Sequence, residues 1–279
     1  MNLLGIDFED WFHPELIQKY VTGLDKKPTV VNGIDKILDW LRKNETFATF
    51  FVVGELLEAK PELLDKIIGG GHEIAFHTMH HTRIDAPNSK EKFTEEIKMF
   101  DKMTSKRSKG FRAPSFSLNN SSSWVIDVLS DNNYQYDSSV MPAKTKLYGI
   151  PNADVKPYKI SSSSLEQDDP SGKIIEFPLL TTKLIRYNIP ACGGFYLRFL
   201  PLKIIERAIR NNMKKGIPAT FFIHSWELTP EFMPKIDLPF SDNFITYHNI
   251  GKALSRMDTL IKKFKFTSFE RFISKSMTD

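Results

Sequence analysis

The chain has 279 residues, 41% hydrophobic and 26% charged, with 38 Lys and Arg against 34 Asp and Glu, seven His and a single Cys. That length suffices for one full core, and the mild positive excess lacks the dense basic stripe that nucleic-acid binding requires. One cysteine, Cys192, excludes an intramolecular disulfide and any multi-thiolate metal site, so a metal here must use His and carboxylates.

The first residues, MNLLGIDFEDWFH, place three acids by position 10 and carry neither a basic start nor an apolar run, so no signal peptide is expected. No apolar stretch approaches the roughly 18 residues of a membrane span. A cytoplasmic enzyme is the expectation. Residues 2–7 predict a strand buried on both faces that stops at Asp7. Residues 33–43 place Ile34, Ile37, Leu38 and Leu41 on one helical face, residues 48–53 (ATFFVV) predict a second strand, and a helix over about 61–68 ends in three glycines. A strand at 72–76 runs into the cluster HTMHH, residues 77–81. A helix over 89–103, a strand at 110–113 stopped by Pro114, a helix over 121–130 and a strand at 134–138 follow.

Residues 144–172 read as a loop excursion rich in Pro, Ser, Gly and Asp. Regular elements resume with a strand at 174–180, the Cys192-Gly193-Gly194 turn, a helix over 202–215, a strand at 219–223 and a helix over about 250–263. The alternation predicts an α/β fold, a βα barrel or doubly wound sheet, in one domain over 1–279.

Asp7, His77, Arg112, Asp137 and His224 all fall at or just beyond the C-terminal ends of predicted strands, the face that holds the active site in parallel barrels. His77 and His81, four residues apart, can bring two imidazoles to one cation, and Asp7, Glu9 and Asp10 supply carboxylates. Two carboxylates at one site can divide the labour, one holding metal and the other taking a proton. Arg112 can fix a carboxylate's orientation, and His224 can protonate a departing amine.

In order, DFED (7–10), HTMHH (77–81), RAP (112–114) and FIH (222–224), with ATFFVVG (48–54), GHEIAFH (71–77) and YDSS (136–139), resemble the polysaccharide deacetylases of the NodB homology type, carbohydrate esterase family 4. The resemblance implies an incomplete (β/α)7 barrel and a divalent metal, zinc above others, held by His77, His81 and a first-motif aspartate. It implies Asp7 as general base oriented by Arg112, His224 as general acid, and Thr78 as a hydrogen-bonding brace of the histidine loop. The substrate implied is an N-acetylated sugar or oligosaccharide. The string I-D-F-E-D-W departs from the common T-F-D-D-G, so Asp10 is assigned as the ligand. Glu9 stays open, because strand alternation puts residues 7 and 9 on one face. The same string, with Gly193-Gly194 and HSWE (224–227), is closer to a subgroup associated with exopolysaccharide loci. Pro114, Phe116, Trp226 and Trp11 are the expected substrate contacts, as apolar walls against a sugar ring. Two other readings compete: a metal-independent hydrolase of a cyclic amide, from an allantoinase-like branch, and a catalytically inactive carbohydrate-binding barrel.

Overall fold

A computed structural model describes residues 1–276. Its strands are β1 (Asn2–Phe8), β2 (Thr49–Val52), β3 (Glu73–Phe76), β4 (Gly110–Phe111), β5 (Tyr136–Asp137), β6 (Tyr158–Ile160), β7 (Ile174–Glu176), β8 (Thr181–Leu184), β9 (Tyr187–Pro190), β10 (Thr220–His224) and β11 (Phe266–Thr267). Seven of them run parallel in the order β10-β1-β2-β3-β4-β5-β7, with β11 also alongside β1. The sheet curls so that Leu179, just beyond β7, bridges back to Thr220 of β10. This is the α/β half-barrel that the sequence leads one to expect.

β1 lies between β10 and β2 and is buried throughout. Side chains alternate along it: Leu4, Ile6 and Phe8 pack outward under the helices, whereas Leu3 joins Phe51, Ala75, Tyr136 and Phe177 inside the curl. The helix Phe269–Ser276 closes the lower end of that interior, its Phe269 ring stacked on Tyr136 at 5.0 Å. The helices Ile34–Lys43, Glu62–Gly69, Ser89–Met103, Trp124–Asp131, Leu202–Lys214 and Ala253–Lys263 cover the outer face with the apolar stripes read from the sequence.

Three segments differ from expectation. The excursion at 144–172 contains β6, which pairs antiparallel with β7 and ends the sheet. Residues 181–190 form the hairpin β8–β9, packed beside the helix Leu202–Lys214; its largely exposed strands carry no apolar alternation to announce them. The helix Phe240–Tyr247 has only one buried residue, Thr246, so it too lacked an apolar stripe.

Candidate active site

The register of β1 with β10 sets Asp7 directly beside His224 at the upper end of the sheet. Asp7 Oδ1 accepts a 2.5 Å hydrogen bond from Nη1 of Arg112, which is fully buried at the end of β4. The remaining donors of Arg112 are also fixed: Nε donates to the Ser138 carbonyl (3.0 Å) and Nη2 to Ser138 Oγ (2.9 Å), while its guanidinium lies 3.9 Å over the Phe51 ring. Gly5 makes room for this fork, since a Cβ there would stand 2.6 Å from Nη1.

One ligand atom each from Glu9, His77 and His81 lies within 4.8 Å of the others, all three residues buried. His77 Nδ1 donates to the Arg112 carbonyl at 2.7 Å, which leaves Nε2 unprotonated and turned to ligation. Burial pushes His77 down to about 4, overriding the nearby Asp7 and Glu9, so its imidazole is neutral at pH 7. Glu9 Oε1 accepts from Trp226 Nε1 at 2.8 Å. Glu9 Oε2 stands 2.7 Å from His81 Nε2 yet has no well-aligned hydrogen-bond partner among the described residues, so a buried carboxylate oxygen and an imidazole nitrogen converge on one point. Burial would raise the Glu9 carboxyl, but His81, His224 and His77 outweigh it and hold the group well below the usual carboxylate range. This donor set, with an orphaned buried oxygen, fits a divalent cation.

The expected ligand Asp10 is not at this place. Alternation turns residues 7 and 9 into the interior and Asp10 away from it. Its carboxylate accepts from the backbone N–H groups of Trp11 (2.9 Å), Thr29 (3.0 Å) and Val31 (3.0 Å), organising the loop after β1. Nor does Thr78 brace the histidines through its hydroxyl, which is buried and without a hydrogen-bond partner among the described residues. The loop is held instead by the Thr78 and Met79 carbonyls, which accept from Gly54 and Glu55, and by Met79 N–H donating to Glu96.

His224 Nδ1–H donates to Glu227 Oε2 at 2.7 Å, and Glu227 Oε1 accepts from Nε of Arg198 at 2.6 Å. Burial would lower His224, but the carboxylates of Glu227, Glu9 and Asp7 raise it to about 9. The residues at 224 and 227 form a capping box on the short helix Ser225–Leu228, a pattern legible in HSWE; Arg198, 29 residues away, left no sequence signal.

Asp7, Glu9, His77, His81, Arg198 and His224 line a compact cavity of about 160 Å³ together with Phe116, Tyr148, Phe195, Tyr196 and Trp226. Of the expected substrate contacts, Phe116 and Trp226 are on its wall, Trp226 stacked on His224 at 4.7 Å. Pro114 is buried behind it, starting the turn whose next residues, Ser115 and Phe116, take positive φ (52° and 48°) to reach the cavity. Trp11 is not on the wall: it packs with Phe12, Ile17 and Val30, and its Nε1 donates to the Lys27 carbonyl. Gly193 passes so close to β10 that a Cβ would collide with the Phe222 carbonyl, and its φ of +42° combined with ψ of −173° is a backbone conformation that favours glycine.

Residues 21–136 match the family model described as polysaccharide deacetylase, and residues 138–274 match one described as a domain of unknown function, DUF3473. A peptidoglycan deacetylase-like protein of Gibberella zeae is 27% identical over 171 residues, 58% of this chain and 49% of that protein. The peptidoglycan-N-acetylmuramic acid deacetylase of Bacillus subtilis is 35% identical over 78 residues, 24% of this chain and 30% of its own. The chain thus spans half or less of the length of these curated relatives. Among solved structures, a Mycobacterium smegmatis protein whose name places it with the polysaccharide deacetylases superposes with a TM-score of 0.61 at 15% identity, covering 98% of this chain and 90% of that one. No helix among the described residues is long and apolar enough to cross a membrane.

Proposed function

We propose that the chain, whose residues 21–136 match the polysaccharide deacetylase model, hydrolyses the N-acetyl group of an amino sugar, in a glycan or glycan precursor, releasing acetate with the help of a divalent metal. The observation that carries this reading is the placement of Asp7 and His224, side by side on adjacent strands, next to the convergence of Glu9, His77 and His81. Those three residues would hold the cation, and zinc is the one that two neutral imidazoles and a carboxylate suit best. When bound it would polarise the acetamide carbonyl and ease deprotonation of water.

The remaining chemistry belongs to the chain. Arg112 fixes one oxygen of Asp7, so the carboxylate is presented to the cavity in a single orientation and can accept a proton from the attacking water. Glu227 fixes the His224 tautomer, so Nε2 can deliver a proton to the departing amine. Phe116, Tyr196 and Trp226 exclude solvent around the acetamide. The test is acetate release from N-acetylglucosamine oligomers, peptidoglycan fragments and lipid-linked amino sugars, with and without zinc. Asp7→Asn is expected to keep its metal and lose acetate release; unchanged turnover would refute the assignment of Asp7 as base.

A further inference from the structure

The candidate cavity opens onto hydrocarbon. Phe195 forms part of its wall, and the same ring stacks at 5.0 Å on Phe199, which is 53% exposed. Phe244 meets both, at 5.9 Å and 6.4 Å between ring centres. Phe240 lies one turn earlier on the same helix face as Phe244 and is 88% exposed. Ile245, from that helix, lines the cavity itself. A continuous aromatic ledge therefore runs from the cavity wall outward to solvent.

The ledge is built into the site. Arg198, which holds Glu227, also donates through Nη2 to the Ile245 carbonyl (2.8 Å) and through Nη1 to the His248 carbonyl (2.6 Å). One buried guanidinium thus ties the ledge helix to the carboxylate that orients His224. Of the polar side chains on this helix and at its end, Asp242 is engaged with Lys19 and Tyr20 and His248 with Asn249. A run of sugar rings needs hydroxyl partners as well as stacking faces; a hydrocarbon chain needs only the faces.

We propose that the ledge binds the apolar aglycone of the substrate, so that the amino sugar reaching Asp7 and His224 is linked to a hydrocarbon chain and is not an interior unit of a polysaccharide. This rests on the deacetylase reading for its sugar and on the ledge alone for its chain. A methylene fully removed from water gains roughly fourfold in affinity and one lying on a ledge about twofold, so four or five in contact give about twentyfold.

Calorimetry with the octyl and methyl β-glycosides of N-acetylglucosamine, below the octyl compound's micelle concentration, reads this without needing turnover. The octyl glycoside is expected to bind about twentyfold more tightly, and Phe240→Ser with Phe244→Ser to bring the two within about threefold. If the double variant does not fold, Phe240→Ser alone, at the exposed end, is expected to lower the ratio by at least threefold. Equal affinities, a ratio untouched by these variants, or a loss confined to chitotetraose would overturn the proposal. Octyl selectivity that the variants abolish, with no acetate released from any sugar, would uphold the ledge and refute the deacetylase reading.

Discussion

Exchanging the roles of two neighbouring acids gives the sharpest test of the site. Glu9→Gln replaces one of three converging donors with a neutral amide while its carbonyl oxygen can still accept from Trp226 Nε1, so the metal-free protein should melt within about 1 kcal/mol of wild type. Zinc affinity should fall by at least about 100-fold, beyond the loss usual for residues that merely support a ligand. Asp10→Ala should do the reverse. It strips three backbone N–H groups of their acceptor, at 2.9, 3.0 and 3.0 Å. Each such group left buried costs on the order of 1 kcal/mol or more, so roughly 3 kcal/mol is lost. For a chain of this size that lowers Tm by roughly 6–12 °C. Zinc stoichiometry by elemental analysis, zinc titration of the metal-free protein and thermal melts with and without chelator separate the two. An Asp10→Ala protein that loses zinc but melts normally, beside a Glu9→Gln protein that keeps zinc, would refute the assignment.

Gly5→Ala should disturb Asp7 through Arg112. The added methyl meets Nη1 at 2.6 Å and the Phe51 ring at 2.8 Å, costing about 1–3 kcal/mol, and a displaced fork should lower kcat by about 100-fold with metal still bound; kcat within twofold of wild type would count against the orienting role. Glu227→Gln removes the nearest charge that raises His224 to about 9, so the alkaline limb of kcat/KM, where the acid loses its proton, should move to lower pH; an unmoved limb would dissociate His224 from it. Glu73, buried among the Thr49 and Tyr136 hydroxyls and the Glu270 N–H, is raised by burial from 4.5 to about 7. The folded state therefore binds the extra proton between those values, and its stability falls as pH rises through that window, by about 3 kcal/mol. Denaturant titrations from pH 4 to 8 should show this fall in wild type and not in Glu73→Gln; parallel curves would refute it.

The parts of the site legible in the sequence are those fixed by strand ends. Asp7, His77, Arg112 and His224 each follow a short apolar run, and a parallel strand delivers its last residue to the same face whatever the loops do. The choice left open between Asp10 and Glu9 depended on a single residue of register. Glu9 displaced Asp10 because the interior alternation of β1 continues one step past Phe8, while the backbone turns that claim Asp10 come from residues near 29–31, invisible to local reading. Trp11 and Trp226 carry the same chemistry and share one apolar cluster, and only tertiary packing lays Trp226 over His224 while Trp11 Nε1 turns to the Lys27 carbonyl. Glu227 was readable as the third residue after a cap; Arg198 was not, since a buried long-range ion pair has no spacing rule.

The two matched segments also show why the site depends on β1. His77, His81 and Arg112 fall within residues 21–136, and His224, Glu227 and Arg198 within 138–274, while Asp7 and Glu9 belong to neither. β1 pairs with β2 on one side and β10 on the other, so it is the one strand that places carboxylates from outside both segments between histidines from each. The fork of Arg112 reaches Asp7 across the interior and simultaneously grips Ser138, just past β5, whose hydroxyl donates in turn to the Phe177 carbonyl beyond β7. Register errors of even one residue in β1 would reverse its alternation, turning Asp7 and Glu9 outward and leaving a fully buried guanidinium without its counter-charge, a penalty of several kcal/mol. The arrangement that gives the cavity its proton acceptor therefore also helps to hold the register of β1.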